Sequence, residues 1–363
     1  MIVLDGNYSE GGGALVRTAL ALSALTGQEF KVTNIRAGRS DAGLKAQHLT
    51  AIKTLKEFCH AETNELDIGS TELYFKPGKI KKGVYNIDIG TAGSITLLLQ
   101  ALILPAMFAP GKVTFNITGG TCGKWQASVD YLQSILLPYL TRFTEKIGIK
   151  ILKRGYYPKG QGLIKLEISP RFNLHKYGSF SSLMEELPFK VAKMNLTEQG
   201  ELEQIRGIVN LSVELQEKEV GERIKNSIVT SLKQYHIPVT IRVEYAKAES
   251  VGGDTLIWGI FSKKGEVDDN SVLLAGDALI EKNKSSEEIG KEAVEKLKRQ
   301  IDAGVVVDYY LVDQLIQFMG LLPGSKMKVL EVSNHAETNM YVVERFLPIA
   351  FKVDRNMISV EDK

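Results

Sequence analysis

Close to the start of the chain a carboxylate is set among glycines. Asp5, Gly6, Asn7, Tyr8, Ser9, Glu10, Gly11, Gly12 and Gly13 lead straight into an apolar helical stretch that carries Arg17. Three glycines before a helix leave backbone amides open to an anion at the positive end of the helix dipole. Glu10 would repel such an anion unless a cation lay between them, so a phosphate, a divalent ion and Arg17 form one coherent set. A tight turn with a solvated Glu10 accounts for the same residues.

His335 is the second group with chemistry to offer. Imidazole serves as base, metal ligand or nucleophile, and its attack on phosphorus gives a reactive phosphoramidate. No second His or Cys stands at ligand spacing from it, which gives a metal centre there little support, and an exposed or structural histidine stays open. His48 shares a helix face with Leu44, Ile52 and Leu55, the pattern of a satisfied half-core histidine. Its helix follows a basic loop, however, whose Arg36 and Arg39 offer planar forks suited to phosphate or to solvent. Tyr310 and Asp313 lie one turn apart with Gln314 following, among Leu311, Leu315 and Ile316. They fit a purine, a metal or an exposed stripe.

The elements that must position these groups recur. A pattern of helix, strand, loop, helix and strand occurs three times. The first copy has helix Ala14 to Leu25 stopped by Gly27, strand Phe30 to Ile35, a loop from Arg36 to Asp41, and a helix from Gly43 to Phe58. The second has helix Ser94 to Met107, strand Val113 to Ile117, a loop at Gly119, Gly120 and Thr121, and a helix from Ala127 to Phe143. The third has helix Val305 to Met319, strand Met327 to Val332, a loop at Ser333, Asn334 and His335, and a helix ending near Phe346. Arg17, Gln100 and Gln314 fall at matching places on the first helix of each copy. An unpaired buried amide or guanidinium costs about 1–3 kcal/mol, so packing about a pseudo-threefold axis would bring these residues and the three loops to one cleft.

Between the second and third copies the character changes. Alternating strands at Ile205 to Leu215 and Val239 to Tyr245, with a helix from Val220 to Tyr235, predict a separate α/β insert. The expected organisation is a main domain of residues 1–180 and 281–363 and an insert of residues 181–280. The charged segment Glu281 to Gln300 has helical spacing (Ile289, Ala293, Leu297, Ile301), leads back into the main domain, and is expected to present a solvated face.

Composition narrows the function classes. With 363 residues and 44% hydrophobic content the chain can bury a full core. Lys and Arg (45) nearly balance Asp and Glu (43), which argues against a polybasic surface and leaves nucleic acid a local patch. Cys59 and Cys122 are too few for a disulfide framework or a zinc cluster. The chain enters an apolar strand at Ile2 without a leader, and no apolar run reaches ~20 residues, so a soluble cytoplasmic protein is expected. Ile95 to Ala109, broken by Pro105, reads as a buried core helix. No isolated apolar stripe marks an oligomer interface, and a homo-oligomer stays open.

Taken in order, these motifs resemble the RNA 3′-terminal phosphate cyclase family. The opening Asp5 Gly6 and Glu10 Gly11 Gly12 Gly13 with Arg17 is similar to that family's, as are Ile35 Arg36 Ala37 Gly38 Arg39, Gly43 Leu44 and Gln47 His48 Leu49 Thr50 Ala51. So are Gly90, Ala92 Gly93 Ser94 with Gln100, Gly119 Gly120 Thr121, and Gly155 Tyr156 Tyr157 Pro158 with Gly160 and Gly162. Tyr310 Leu311, Asp313 Gln314, His335, Thr338 Asn339 and Val342 to Pro348 complete the likeness, which runs from end to end.

The resemblance implies an α+β fold of repeated βαβαββ units, of the kind found in enolpyruvyl transferases, with a smaller α/β insert. It implies ATP-dependent conversion of an RNA 3′-phosphate to a 2′,3′-cyclic phosphodiester. His335 matches the nucleophile that takes AMP from ATP. Gln100, Tyr310, Leu311, Val312, Asp313 and Gln314 match the adenylate pocket, and Arg17, Arg36, Arg39 and His48 the basic cluster near the phosphates. Glu10 matches the carboxylate for a divalent ion, Mg or Mn. Two departures stand out: Cys122 to Ala127 replaces an Asp and a proline-containing segment, and Ala336 and Glu337 stand where relatives can be apolar. A non-catalytic cyclase-like ribosome-assembly protein would share the fold but need no nucleophilic histidine. An enolpyruvyl transferase would not require His335 either.

Overall fold

The computed structural model describes residues 1–9, 11–263, 265–266 and 268–363. Its first unit runs β1 (Ile2–Asp5), α1 (Ala14–Thr26), β2 (Phe30–Thr33), α2 (Ala46–Cys59), β3 (Glu62–Thr63) and β4 (Leu73–Lys76), with sheet order β1-β2-β4-β3. β1 pairs with β2 in parallel, while β4 is antiparallel to both of its neighbours. The second unit has β5 (Gly83–Asp88), α3 (Ile95–Ala106), β6 (Val113–Gly119), the short helices α4 (Val129–Tyr131) and α5 (Leu137–Leu140), β7 (Thr144–Lys153) and β8 (Gly162–Pro170). Its order, β5-β6-β8-β7, and its one parallel pair repeat the first.

After α6 (Leu174–Tyr177) and α7 (Phe180–Lys190), the two-residue strand β9 (Asn195–Leu196) opens the third unit. The chain then leaves it to build another sheet from β10 (Glu201–Ser212), α8 (Val220–Leu232), β11 (Val239–Ala246), β12 (Gly253–Ser262), β13 (Leu273–Leu279) and α9 (Ser286–Asp302), in the order β11-β10-β12-β13. The third unit resumes with α10 (Tyr309–Met319), β14 (Lys326–Lys328), α11 (Asn334–Phe346), β15 (Ile349–Asp354) and β16 (Met357–Asp362). β9 pairs with β14 in parallel, giving β9-β14-β16-β15, the same order a third time. The molecule is thus an α+β protein, with four small mixed sheets among the described residues.

Helix α9 packs on β13 and against α8, although its sequence pattern predicts a return to the main domain. Ile289, Ala293 and Leu297 turn its apolar stripe onto the inserted sheet. Gly276 permits the close approach, since a Cβ there would lie 2.1 Å from the Ala293 carbonyl oxygen.

The core of the three units is helical. Every residue of α1 from Ala14 to Leu25 is buried, and α1 packs against both α3 and α11. α3 is apolar on nearly all sides and starts at Ser94, whose hydroxyl accepts from the Leu97 amide. Burying each of its Leu and Ile side chains contributes about 1.5–3 kcal/mol. Arg154 fastens the insert to the second unit by pairing with Asp130 and, at 3.3 Å, with Glu244 on β11. Tyr156 Oη adds a 2.9 Å bond to Asn210 Oδ1 on β10. These links fix the walls of the cleft that opens between core and insert.

Candidate active site

The three repeats meet in one cleft of about 830 Å³, lined by Arg17, Arg36, Arg39, His48, Gln100, Tyr310, Asp313, Gln314 and His335. Arg17 and Gln100, equivalent positions on α1 and α3, are in direct contact: Arg17 Nε donates to Gln100 Oε1 at 2.8 Å. Leu311 and Val312 do not line the cleft. The helical period turns both into the core, where they are buried.

The floor beside α1 is built around a missing side chain. Gly13 is the N-cap of α1 and offers no capping group of its own to the first-turn amides, and Gly12, Gly13 and Ala14 line the cleft. A Cβ on Gly13 would lie 2.3 Å from His48 Nε2 and 2.8 Å from Arg17 Nη1. His48, 1% exposed, accepts the Lys45 backbone N–H at Nδ1 (3.0 Å). The neutral ring therefore carries its proton on Nε2, a buried atom without a hydrogen-bond partner among the described residues. Burial, then the charges of Arg17, Arg36 and Lys45, hold the imidazole at about 3, so it stays neutral and presents an N–H to the cleft. The half-core histidine of the sequence reading thus also lines the cleft.

His335 is not in a loop. Ser333 caps α11 by accepting the Ala336 amide at 3.0 Å, and His335 is the second residue of the helix, half-buried and facing the cleft. β14 ends at Lys328, short of the expected strand, and so leaves room for the cap. A polar chain fixes this helix start. Ser333 Oγ donates to Asp313 Oδ1 (2.7 Å), Asn339 Nδ2 donates to the Asp313 carbonyl (2.9 Å), and Thr18 Oγ1 donates to Asn339 Oδ1 (2.8 Å), which ties α1, α10 and α11 together. The sequence carried no periodic signal for these pairs, because each joins residues on different helices.

The glycine-rich loop crosses the same helix start. Ser9 Oγ lies 3.1 Å from Glu337 Oε2 and 3.3 Å from the Asn334 carbonyl oxygen, and the Tyr8 ring stacks on Tyr341 at 4.0 Å. Glu337 thereby acquires a partner on the opposite end of the chain. Glu10, the expected metal carboxylate, lies outside the described residues. Among those described, no group of three or more His, Cys, Asp and Glu gathers as a metal cage.

α10 is anchored by Asp308, whose carboxylate caps it through the Tyr310 (3.0 Å) and Leu311 (2.9 Å) amides and also accepts from Ala275 N and the Tyr131 hydroxyl. Burial pushes its carboxyl up to about 6, against the pull of those donors. Gln314 Nε2 donates to the Tyr310 carbonyl at 3.0 Å, and the Tyr310 ring meets Tyr131 edge-on at 5.5 Å.

The opposite wall corrects an expectation. The charges of 281–300 do not simply face solvent: Glu281, Lys284, Glu292 and Lys296 line the cleft beside Asp277. They form a continuous chain of ion pairs, Lys124–Glu281 (2.7 Å), Glu281–Lys284 (3.2 Å), Lys284–Glu292 (2.6 Å), Glu292–Lys296 (3.2 Å) and Lys296–Asp277 (3.2 Å). It ends where Tyr310 Oη donates to Asp277 Oδ2 at 3.3 Å. The one-turn spacing of Glu292 and Lys296 was the available signal.

The sequence profile of the RNA 3′-terminal phosphate cyclase family matches residues 8–353. The RNA 3′-terminal phosphate cyclase of Methanopyrus kandleri is 37% identical over 359 residues, covering 97% of this chain and 95% of that protein. Those of Pyrococcus abyssi and Methanosarcina mazei are each 39% identical, over 355 and 357 residues, covering 98% and 97% of this chain and 95% and 97% of theirs.

Proposed function

The chain belongs to the RNA 3′-terminal phosphate cyclase family, and on that premise we propose that it converts an RNA 3′-phosphate into a 2′,3′-cyclic phosphodiester with ATP as co-substrate. A phosphate monoester lacks a good leaving group for ring closure at neutral pH, and adenylation supplies one. His335 attacks the α-phosphorus of ATP, so that a P–N bond forms as the bond to pyrophosphate breaks. An oxygen of the RNA 3′-phosphate then attacks the same phosphorus and releases the imidazole. The neighbouring 2′-hydroxyl closes on the RNA phosphorus, loses its proton and expels AMP.

The observation that carries this reading is that His335 shares one cleft with Arg17, Arg36, Arg39 and His48. In it the three guanidinium groups and the His48 Nε2–H offset charge gathering on the transferring phosphoryl group. Gln100, Tyr310, Asp313 and Gln314 receive the nucleoside. A divalent ion, Mg or Mn, on Glu10 supplies further charge neutralisation to the triphosphate when bound. Two buried free cysteines, Cys59 and Cys122, suit a reducing cytoplasm.

The test is incubation with radiolabelled ATP and a divalent ion, followed by denaturing separation. An acid-labile, alkali-stable label is expected on the protein and none on His335→Ala. Persistent labelling of that variant would overturn the assignment of the nucleophile, and an unlabelled wild-type protein would favour the non-catalytic, cyclase-like ribosome-assembly alternative.

A further inference from the structure

Trp125 stands on the segment from Cys122 to Ala127, and it is 93% exposed at the cleft. Its backbone is left-handed (φ +60°), a conformation costly for a bulky residue and retained only where the surroundings over-determine it. The surroundings do so at both ends. Thr96 Oγ1 on α3 donates to the Ala127 carbonyl at 2.7 Å, Cys122 is buried, and Lys124 pairs with Glu281 at 2.7 Å. A segment tied down on each side thus holds its largest apolar ring in water, on the rim of a site lined by Arg36, Arg39 and His335.

We infer that Trp125 is the platform on which the terminal base of the RNA stacks, so that the substrate is held by its base as well as by its phosphate. This rests on the function proposed above. Bases present a π-face to aromatic side chains whatever their identity, and such stacking is the usual way a protein grips a single-stranded end. The adenine of ATP is the weaker occupant. Pockets enclose small ligands on most of their surface, and a ring this exposed encloses nothing. Tyr310, half-buried against Tyr131 and bonded to Asp277, is the aromatic suited to a small nucleotide. A polymer arriving from solvent meets Trp125 first.

The chain has two tryptophans, so Trp258→Phe leaves Trp125 as the sole indole reporter. A short oligoribonucleotide with a 3′-phosphate is expected to quench its emission. The same oligonucleotide with an abasic terminal residue should bind about tenfold more weakly and quench little. Trp125→Ala should raise KM for RNA by about tenfold and leave KM for ATP and self-labelling unchanged, with Trp125→Phe retaining most of the affinity. Equal binding of the abasic oligonucleotide overturns the inference. So does quenching by ATP alone together with a raised KM for ATP in Trp125→Ala, which would make adenine the occupant. The binding arm needs no turnover. A protein that discriminates the abasic end but never self-labels supports stacking while sinking the proposed function, and one that cyclises without discriminating sinks stacking alone.

Discussion

His48 Nε2 occupies the space that a side chain on Gly13 would fill: a Cβ there would lie 2.3 Å from it. Gly13 itself has ordinary right-handed helical geometry (φ −82°, ψ −11°), so at this position glycine serves close packing rather than a turn. Two cleft groups, His48 and Arg17, depend on its lack of a side chain.

Gly13→Ala must displace His48, Arg17 or both. In the proposed function each donates to a phosphate of ATP, and losing one hydrogen bond to a charged group costs about 1.5–3 kcal/mol. Calorimetric titration with ATP is expected to show an affinity lower by roughly 10–100-fold, with the fold retained. Unaltered affinity would show that neither group holds phosphate.

His48 should leave a signature in acid. The folded protein keeps it neutral down to about 3, whereas the unfolded chain takes up a proton below 6.5. Its contribution to stability is therefore whole above 6.5 and is lost as the pH falls toward 3. In urea unfolding, the wild type should lose stability with falling pH more steeply than His48→Gln, by up to about 1.4 kcal/mol per pH unit. Parallel profiles would mean that the ring titrates normally.

Asn339 joins Thr18 on α1 to Asp313 on α10. Asn339→Ala orphans a buried hydroxyl and a carbonyl, at about 1–3 kcal/mol each, and loosens the helix that carries His335. Both unfolding midpoint and self-labelling should fall. Thr18→Val combined with Asn339→Leu removes both side-chain partners and should recover part of the stability without recovering the rate. A double-mutant cycle with no coupling between the two positions would contradict this linkage.

The ion-pair chain of the insert wall should matter more to binding than to stability. Its members are partly exposed, and such pairs are screened by salt. Asp277→Asn also weakens the acceptor that positions Tyr310. We expect a small change in unfolding midpoint, a several-fold rise in KM for ATP, and a wild-type KM that rises with ionic strength. A KM indifferent to both would remove the wall from the site.

What the sequence disclosed follows from what repeats. Arg17, Gln100 and Gln314 were visible as single polar residues on apolar helices, and a buried polar group must find a partner, so their convergence could be argued before any coordinates. The placement of His335 was misjudged because Ser333 reads equally as a loop residue and a helix cap. Only the early end of β14 at Lys328 decides between them. The role of α9 was hidden for a different reason. Its apolar stripe fits any apolar surface, and nothing local says that the surface is β13. Pairs such as Ser9 with Glu337 join the two ends of the chain and carry no spacing at all.

The interruption between β9 and α10 also sets an order of assembly. Each of the first two units can form from a contiguous stretch of chain, whereas the third must bring β9 to β14 across everything from residue 197 to residue 325. Closing so long a connection while it is unstructured is entropically unfavourable, and non-local pairing is slow. Insert folding draws Glu201 and Asp302 into one compact body and shortens the span left to close. During synthesis the insert emerges before α10, so the wall of the cleft is built ahead of the helix carrying Tyr310, and a destabilised insert would delay completion of the cleft even where the substitution lies outside it.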